Sequence, residues 1–155
     1  MLLEPLQQWI CDTCKQIIEN VDEGWLEWYD DVNTFEVGGY RIVHYDPKCQ
    51  YDVDKLDYRN KSVADVPLKD AFGSDGLVML LSHYEHMKVA DPKEITDIIR
   101  RLHVPYYEEA RMYWGRATED NFFEGFNEFK AYRQDTLETI IRTYSDIQDA
   151  TQSTQ

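Results

Sequence analysis

Apolar positions change their period along this chain. Before residue 50 they cluster in short runs rich in aromatic and β-branched side chains, Gly24-Trp25-Leu26-Glu27-Trp28-Tyr29 and Tyr40-Arg41-Ile42-Val43-His44-Tyr45. Such runs fit a pleated, half-buried surface, and the polar stretch Asp30-Asp31-Val32-Asn33-Thr34 between them has turn chemistry, so the pattern predicts an antiparallel strand pair. Gly38-Gly39 inside the second run predicts a bulge or bend.

After residue 73 the period becomes helical. Leu77, Leu80, Leu81 and Tyr84 stand at i, i+3, i+4 and i+7, behind a Ser74-Asp75 cap, and predict a helix over 76–88 with those four side chains facing inward. Asp91-Pro92-Lys93-Glu94 combines a side-chain cap, a proline in the first turn and a glutamate three residues after the cap, a strong helix start. Its apolar stripe is Ile95, Ile98, Ile99 and Leu102, and Pro105 ends it near His103-Val104 while opening a further helix from Tyr106 to about Thr118. Asn121 to Arg133 is aromatic but irregular and reads either as helix or as an ordered loop across the core. Asp135 begins a final helix carrying Leu137, Ile140, Ile141 and Tyr144.

The stretch from Gln50 to Gly73 is polar and aspartate-rich, and Pro67 and Gly73 predict a connector with at most short structured pieces. The expected fold class is therefore α+β: a small antiparallel β lobe over 1–52, a connector over 53–73, a helical lobe of about four helices over 74–148, and a disordered tail over 149–155.

Composition narrows the function classes. The 155 residues include 21 aromatic rings and are 43% hydrophobic, enough for a packed interior. The net charge is −14, and neither half of the chain is basic. Phosphate backbones and anionic lipid repel such a surface, so direct binding to nucleic acid or membrane is disfavoured. Acidity of this kind keeps a protein soluble; it also suits a phage- or mobile-element-encoded inhibitor that imitates nucleic acid and fills a basic cleft on another protein. No apolar run approaches the roughly 20 residues that cross a bilayer, and the N-terminus lacks the basic and apolar segments of a secretory signal, so a cytoplasmic location is expected.

Three cysteines, all before residue 50, suit a metal better than a disulfide framework. Cys11-Asp12-Thr13-Cys14 is a C-x2-C pair, whose tight turn aims two sulfurs at one ion, and His44-Tyr45-Asp46-Pro47-Lys48-Cys49 supplies an H-x4-C pair downstream. Two short ligand pairs separated by strand-like sequence are the layout of a closed site with three thiolates and one imidazole, which predicts one structural Zn2+ held by Cys11, Cys14, His44 and Cys49. The competing readings are a redox dithiol, or buried free thiols with His44 only ending a strand. Four protein ligands leave no position for water, so the site is expected to be structural rather than hydrolytic. Lys15 and Lys48 adjoin cysteines and are placed to offset the net negative charge of three thiolates around a dication.

The Trp-Ile-Cys-x-x-Cys, Gly-Trp-x-x-Trp and Ile-Val-His-x-x-x-x-Cys elements between Trp9 and Tyr51 resemble zinc-ribbon or treble-clef-like modules of small uncharacterised bacterial proteins, with His44 where the usual ribbon has a fourth cysteine. The resemblance implies ligand roles for those four residues and no activity.

Elsewhere the candidates for chemistry are thin. His83 and His86 lie three apart on one helix with Glu85 beside them, but a second metal site needs further ligands. Carboxylate pairs such as Glu108-Glu109 or Glu119-Asp120 suit acid–base work in principle, yet adjacent acids arise by chance in so acidic a chain. Serine-hydrolase, phosphate-loop and dinucleotide glycine signatures are absent. The aromatic run from Phe122 to Tyr132 reads as core, or else as a partner-binding groove. The expected function is a non-enzymatic interaction or regulatory protein that contacts another protein, with the acidic mimic as one alternative and an enzyme using a pocket in the helical lobe as another.

Overall fold

The computed structural model describes residues 2–52 and 60–152. Among them the chain is α+β, with a two-stranded antiparallel sheet, a four-stranded sheet and helices that cover one face of the larger sheet. The small sheet pairs β1 (Trp9–Ile10) with β2 (Ile17–Ile18) around the C-x2-C turn. The larger sheet is built on β3 (Gly24–Asp31) and β4 (Glu36–His44), the antiparallel pair expected from the two aromatic runs.

The register of that pair slips where the glycines stand. Glu27 faces Arg41 and Tyr29 faces Gly38, so Trp28 opposes two residues, the expected bulge. Gly39 takes φ +66°, and a Cβ there would overlap the Tyr29 ring, so this bulge admits only glycine. Its freed amide donates to Glu94 Oε2 at 2.7 Å, which ties the bulge to a helix packed above it.

The connector expectation needs correction. Residues 61–67 form β5 (Lys61–Pro67), which runs antiparallel to β3 along its whole length from Trp25↔Pro67 to Asp31↔Lys61, and α1 (Leu68–Ala71) follows at once. As a half-exposed edge strand carrying Lys61, Ser62 and Asp65, β5 buries too little on either face to show an apolar run. The part of the expected connector over 53–59 lies outside the described residues.

Helix α2 (Gly73–His86) and then β6 (Lys88–Val89) return the chain to the other side of the sheet, where β6 lies parallel to β4 through Glu36↔Lys88 and Val37↔Val89. The strand order is β5-β3-β4-β6. Helix α3 (Pro92–His103) begins as its sequence predicts: the Asp91 side chain accepts from Lys93 N at 2.9 Å with Pro92 in the first turn. Ile95, Ile98 and Leu102 pack with Leu26, Trp28, Tyr40 and Ile42 of the sheet and with Leu68, Ala71 and Leu80.

Helix α2 is turned from its expected orientation. Gly76 and Leu80 are its buried residues, while Leu81, Tyr84 and Val78 are exposed. Gly76 permits this, because a Cβ there would sit about 2.1 Å from the Ala71 carbonyl carbon; α1 and α2 meet backbone to backbone at that point.

A second cluster gathers Tyr107, Ala110, Tyr113, Ala117, Leu137, Ile140, Ile141 and Tyr144. The expected Tyr106–Thr118 helix is interrupted: α4 (Tyr107–Ala110), a 3-10 turn over Arg111–Tyr113 and α5 (Trp114–Glu119) succeed one another, after Tyr106 at φ +68°. Residues 121–129 are turns whose Phe122 and Phe123 pack on this cluster together with Tyr132, the ordered-loop form of the two alternatives. The final helix, α6 (Gln134–Gln152), continues through 149–152, part of the expected tail; 153–155 lie outside the described residues. Packing therefore divides near residue 104 rather than across 53–73, since α2 and α3, expected in a helical lobe, complete the core of the sheet.

Candidate metal centre

The C-x2-C turn is shaped by its backbone. Cys11 N donates to Gln16 O at 2.9 Å, Lys15 N donates back to Cys11 O at 3.0 Å, and Lys15 closes the loop in the left-handed region at φ +64°. Strand β4 brings the other half-site alongside, with His44 at its end and Cys49 in the turn closed by Cys49 N donating to Asp46 O at 2.8 Å. Thr13 clamps the two halves by donating its hydroxyl to Cys49 O at 2.5 Å.

Across 30 and more residues of sequence the side chains converge: one ligand atom from each of Cys11, Cys14, His44 and Cys49 lies within 4.8 Å of the others. Tetrahedral zinc bonds of about 2.0–2.3 Å place ligand atoms roughly 3.5–3.8 Å apart, so small adjustments bring all four onto one ion. The four are close enough to hold a metal ion.

Histidine orientation supports the same arrangement. His44 Nδ1 stands 3.4 Å from the Cys14 sulfur, and Nε2 lies 3.1 Å from the Ile17 carbonyl, a pure acceptor. A proton on Nε2 donated to that carbonyl leaves Nδ1 with its lone pair facing the sulfurs, the tautomer that binds a metal.

The thiols show what a cation would relieve. Burial works to raise Cys11, but backbone N–H groups of Cys14, His44 and Thr13 directed at its sulfur outweigh it and lower the thiol to about 6. Cys49 is pushed up to about 12 by burial and by the neighbouring Cys14 and Cys11 sulfurs. Three thiolates at this spacing repel one another until a divalent charge sits among them. Of the two lysines expected to offset the excess charge, Lys15 donates its ammonium to Asp12 O at 2.7 Å, beside the knuckle.

Asp12, between the two cysteines, is the residue that sequence reasoning passed over. Its carboxylate accepts from Ile42 N and Arg101 Nη1, each at 2.7 Å, and from Arg111 Nη2 at 3.3 Å. Burial opposes ionisation here, but the Arg101 and Arg111 guanidiniums hold its carboxyl below the usual range. Arg101, itself buried, forks onto Glu108 at 2.7 and 3.0 Å and donates to Ile10 O, while Glu108 Oε1 also accepts from Ile10 N. Glu108 and Glu109, expected to pair only by chance, are both spent on structure, since Glu109 accepts from the backbone N–H groups of Leu2 and Leu3.

The remaining candidates disperse. His83 is half-buried, edge-on to Trp28, with Nδ1 3.1 Å from the Tyr40 hydroxyl, whereas His86 is exposed beside Glu85. They do not form a ligand pair. Among the described residues no helix is long and apolar enough to cross a membrane. Comparison of the chain with family models, with curated proteins and with solved structures finds no match.

Proposed function

We propose that Cys11, Cys14, His44 and Cys49 hold one zinc ion as a structural cross-link, in a module of the zinc-ribbon or treble-clef-like kind, and that the protein works by contacting another protein rather than by catalysis. The observation that carries this reading is the convergence of three sulfurs and a correctly oriented imidazole nitrogen from two separate turns. Sulfur-rich tetrahedral sites favour zinc among the available divalent ions, and four protein ligands fill its coordination shell, which assigns the ion a role in folding. An acidic, well-packed body with a metal clip suits a scaffold that presents surface to a partner.

Elemental analysis of the purified chain tests the metal directly: about one zinc per chain is expected. Replacement by cobalt should give the intense visible bands of a tetrahedral thiolate site. A chain purified under reducing conditions with zinc in the medium that carries no metal would sink the reading.

A further inference from the structure

Beside the metal ligands the surface sinks into an open groove of about 660 Å³, within the range of about 300–1,000 Å³ that ligand sites occupy. Cys14 and His44 form part of its floor. Asp22 and Glu23, from the 3-10 turn over Val21–Glu23, and Asp46, from the turn after β4, supply carboxylates to its walls. Tyr45 also lines it, 66% exposed yet fixed in place, because its ring stacks on Trp25 with centroids 5.0 Å apart and planes 27° from parallel.

The groove is negative, and among the described residues little positive charge meets its carboxylates. Glu23 accepts from the neutral Asn20 amide at 2.7 Å, and Asp46 accepts from the backbone N–H of Lys48 at 2.9 Å. Lys69 approaches Asp22 only to 3.9 Å, with both side chains mostly in solvent, a contact of little worth. Lys48 is the one cation among the lining residues. A divalent ion with three thiolates adds one further negative charge to the floor. A flat aromatic face beside several carboxylates matches a guanidinium, which stacks on a ring through its plane and forks onto carboxylates through its edge.

We propose that this groove receives an arginine-bearing extended segment of a partner protein. The proposal rests on the metal reading, since the loaded centre forms the floor.

The test is an amide-resolved NMR titration of the zinc-loaded full chain at low salt. The probe is a blocked peptide of alternating arginine and glycine, with a glutamate–glycine peptide and free arginine amide as comparisons. Shifts should centre on residues 22–23 and 44–49, with the arginine peptide binding and the glutamate peptide not. The groove variant Asp22→Asn with Glu23→Gln and Asp46→Asn should weaken the peptide roughly tenfold. The control Glu124→Gln with Glu128→Gln and Glu138→Gln, which removes the same charge from exposed positions at the second cluster, should change binding less than about twofold. Tyr45→Ala should cost about threefold.

Equal losses in both triple variants would reduce the effect to diffuse charge and overturn the proposal, as would an arginine peptide that does not bind. Free arginine amide binding as tightly as the peptide would assign the groove to a small cation instead, and also overturn it. Zinc content measured on the same samples separates the two claims: a metal-free chain fails the centre itself, whereas a loaded chain that shows no preference for the groove fails only this inference.

Discussion

The two packed clusters are assembled from the chain in opposite ways. The first draws on Trp9, Ile18, Leu26, Ile42, Leu68, Leu80 and Leu102, one from each of seven elements spread between residues 9 and 103. The second takes nearly everything from Tyr107 to Tyr144 and is closed by rings stacked on near neighbours, such as Trp114 against Phe123 at 4.6 Å and against Tyr132 at 5.5 Å. Bringing distant segments together costs more chain entropy than folding nearby helices onto one another. The cross-ties follow that difference: the Cys11–Cys14–His44–Cys49 quartet braces the first cluster, the Asp12–Arg101–Glu108 network ties that cluster to α4 of the second, and the second closes on itself by aromatic interlock.

Loss of the proposed metal should break the comparison hardest. Structural zinc supplies apparent binding energy on the order of 10 kcal/mol, as large as the whole stability of a typical domain. Cys49→Ala, or chelation of the native chain, should therefore abolish the cooperative melting of the first cluster and the near-ultraviolet signal of its tryptophans. An unchanged melting curve after verified metal removal would deny the cluster any role in folding.

Arg101→Met comes next. It leaves the buried Glu108 with the partly exposed Arg111 alone, 2.9 Å away, so the loss should fall toward the lower end of the about 3–5 kcal/mol that breaking one side of a buried pair costs. Pairing it with Glu108→Leu should recover part of the loss in a denaturant titration, because the buried carboxylate that keeps only Arg111 is then gone. A single variant as stable as the parent would show that the network contributes nothing to holding the knuckle on α3.

Leu137→Ala probes the other side of the comparison. The side chain is fully buried in the second cluster, and its truncation should cost about 3 kcal/mol by leaving a cavity. Zinc content should not change. Loss of metal in this variant would mean that the two clusters are not separable in energy as they are in packing.

The smallest effect is a pH dependence confined to the first cluster. Burial lowers the His103 imidazole, stacked on Phe72, and likewise lowers His83, where the Asp30 charge opposes it only in part. Both are then neutral in the fold at pH values where the unfolded chain begins to take up protons. Their contribution to stability is complete above about pH 6.5 and is lost as pH falls through the lowered folded values. His103→Gln combined with His83→Gln should flatten the slope of stability between about pH 7 and 5. A slope that persists undiminished would place the acid sensitivity elsewhere.

Legibility followed locality. The convergence of Cys11, Cys14, His44 and Cys49 is readable because each half-site is a short pair, and the β3–β4 hairpin and the Asp91-Pro92 start of α3 are likewise written within a few residues. Strand β5 is not, because an edge strand is defined by its partner β3 and needs no apolar run of its own. The face of α2 is hidden from the sequence for a similar reason: Leu77, Leu81 and Tyr84 carry the helical period, but the close approach of Gly76 to Ala71 decides which side turns inward. Asp12 and Arg101 lie 89 positions apart, and nothing in either neighbourhood announces the other. The groove beside Cys14 and His44 is assembled from three turns, each unremarkable alone.

The position of Asp12 has a consequence for biosynthesis. All four candidate ligands precede Arg101 and Arg111 in the order of synthesis, so a knuckle closed on the nascent chain would hold its aspartate without those counter-ions. The counter-ions that later bury that carboxylate arrive on α3 and on the turn after α4, which makes the knuckle the early-made socket and the helices the late-made plug.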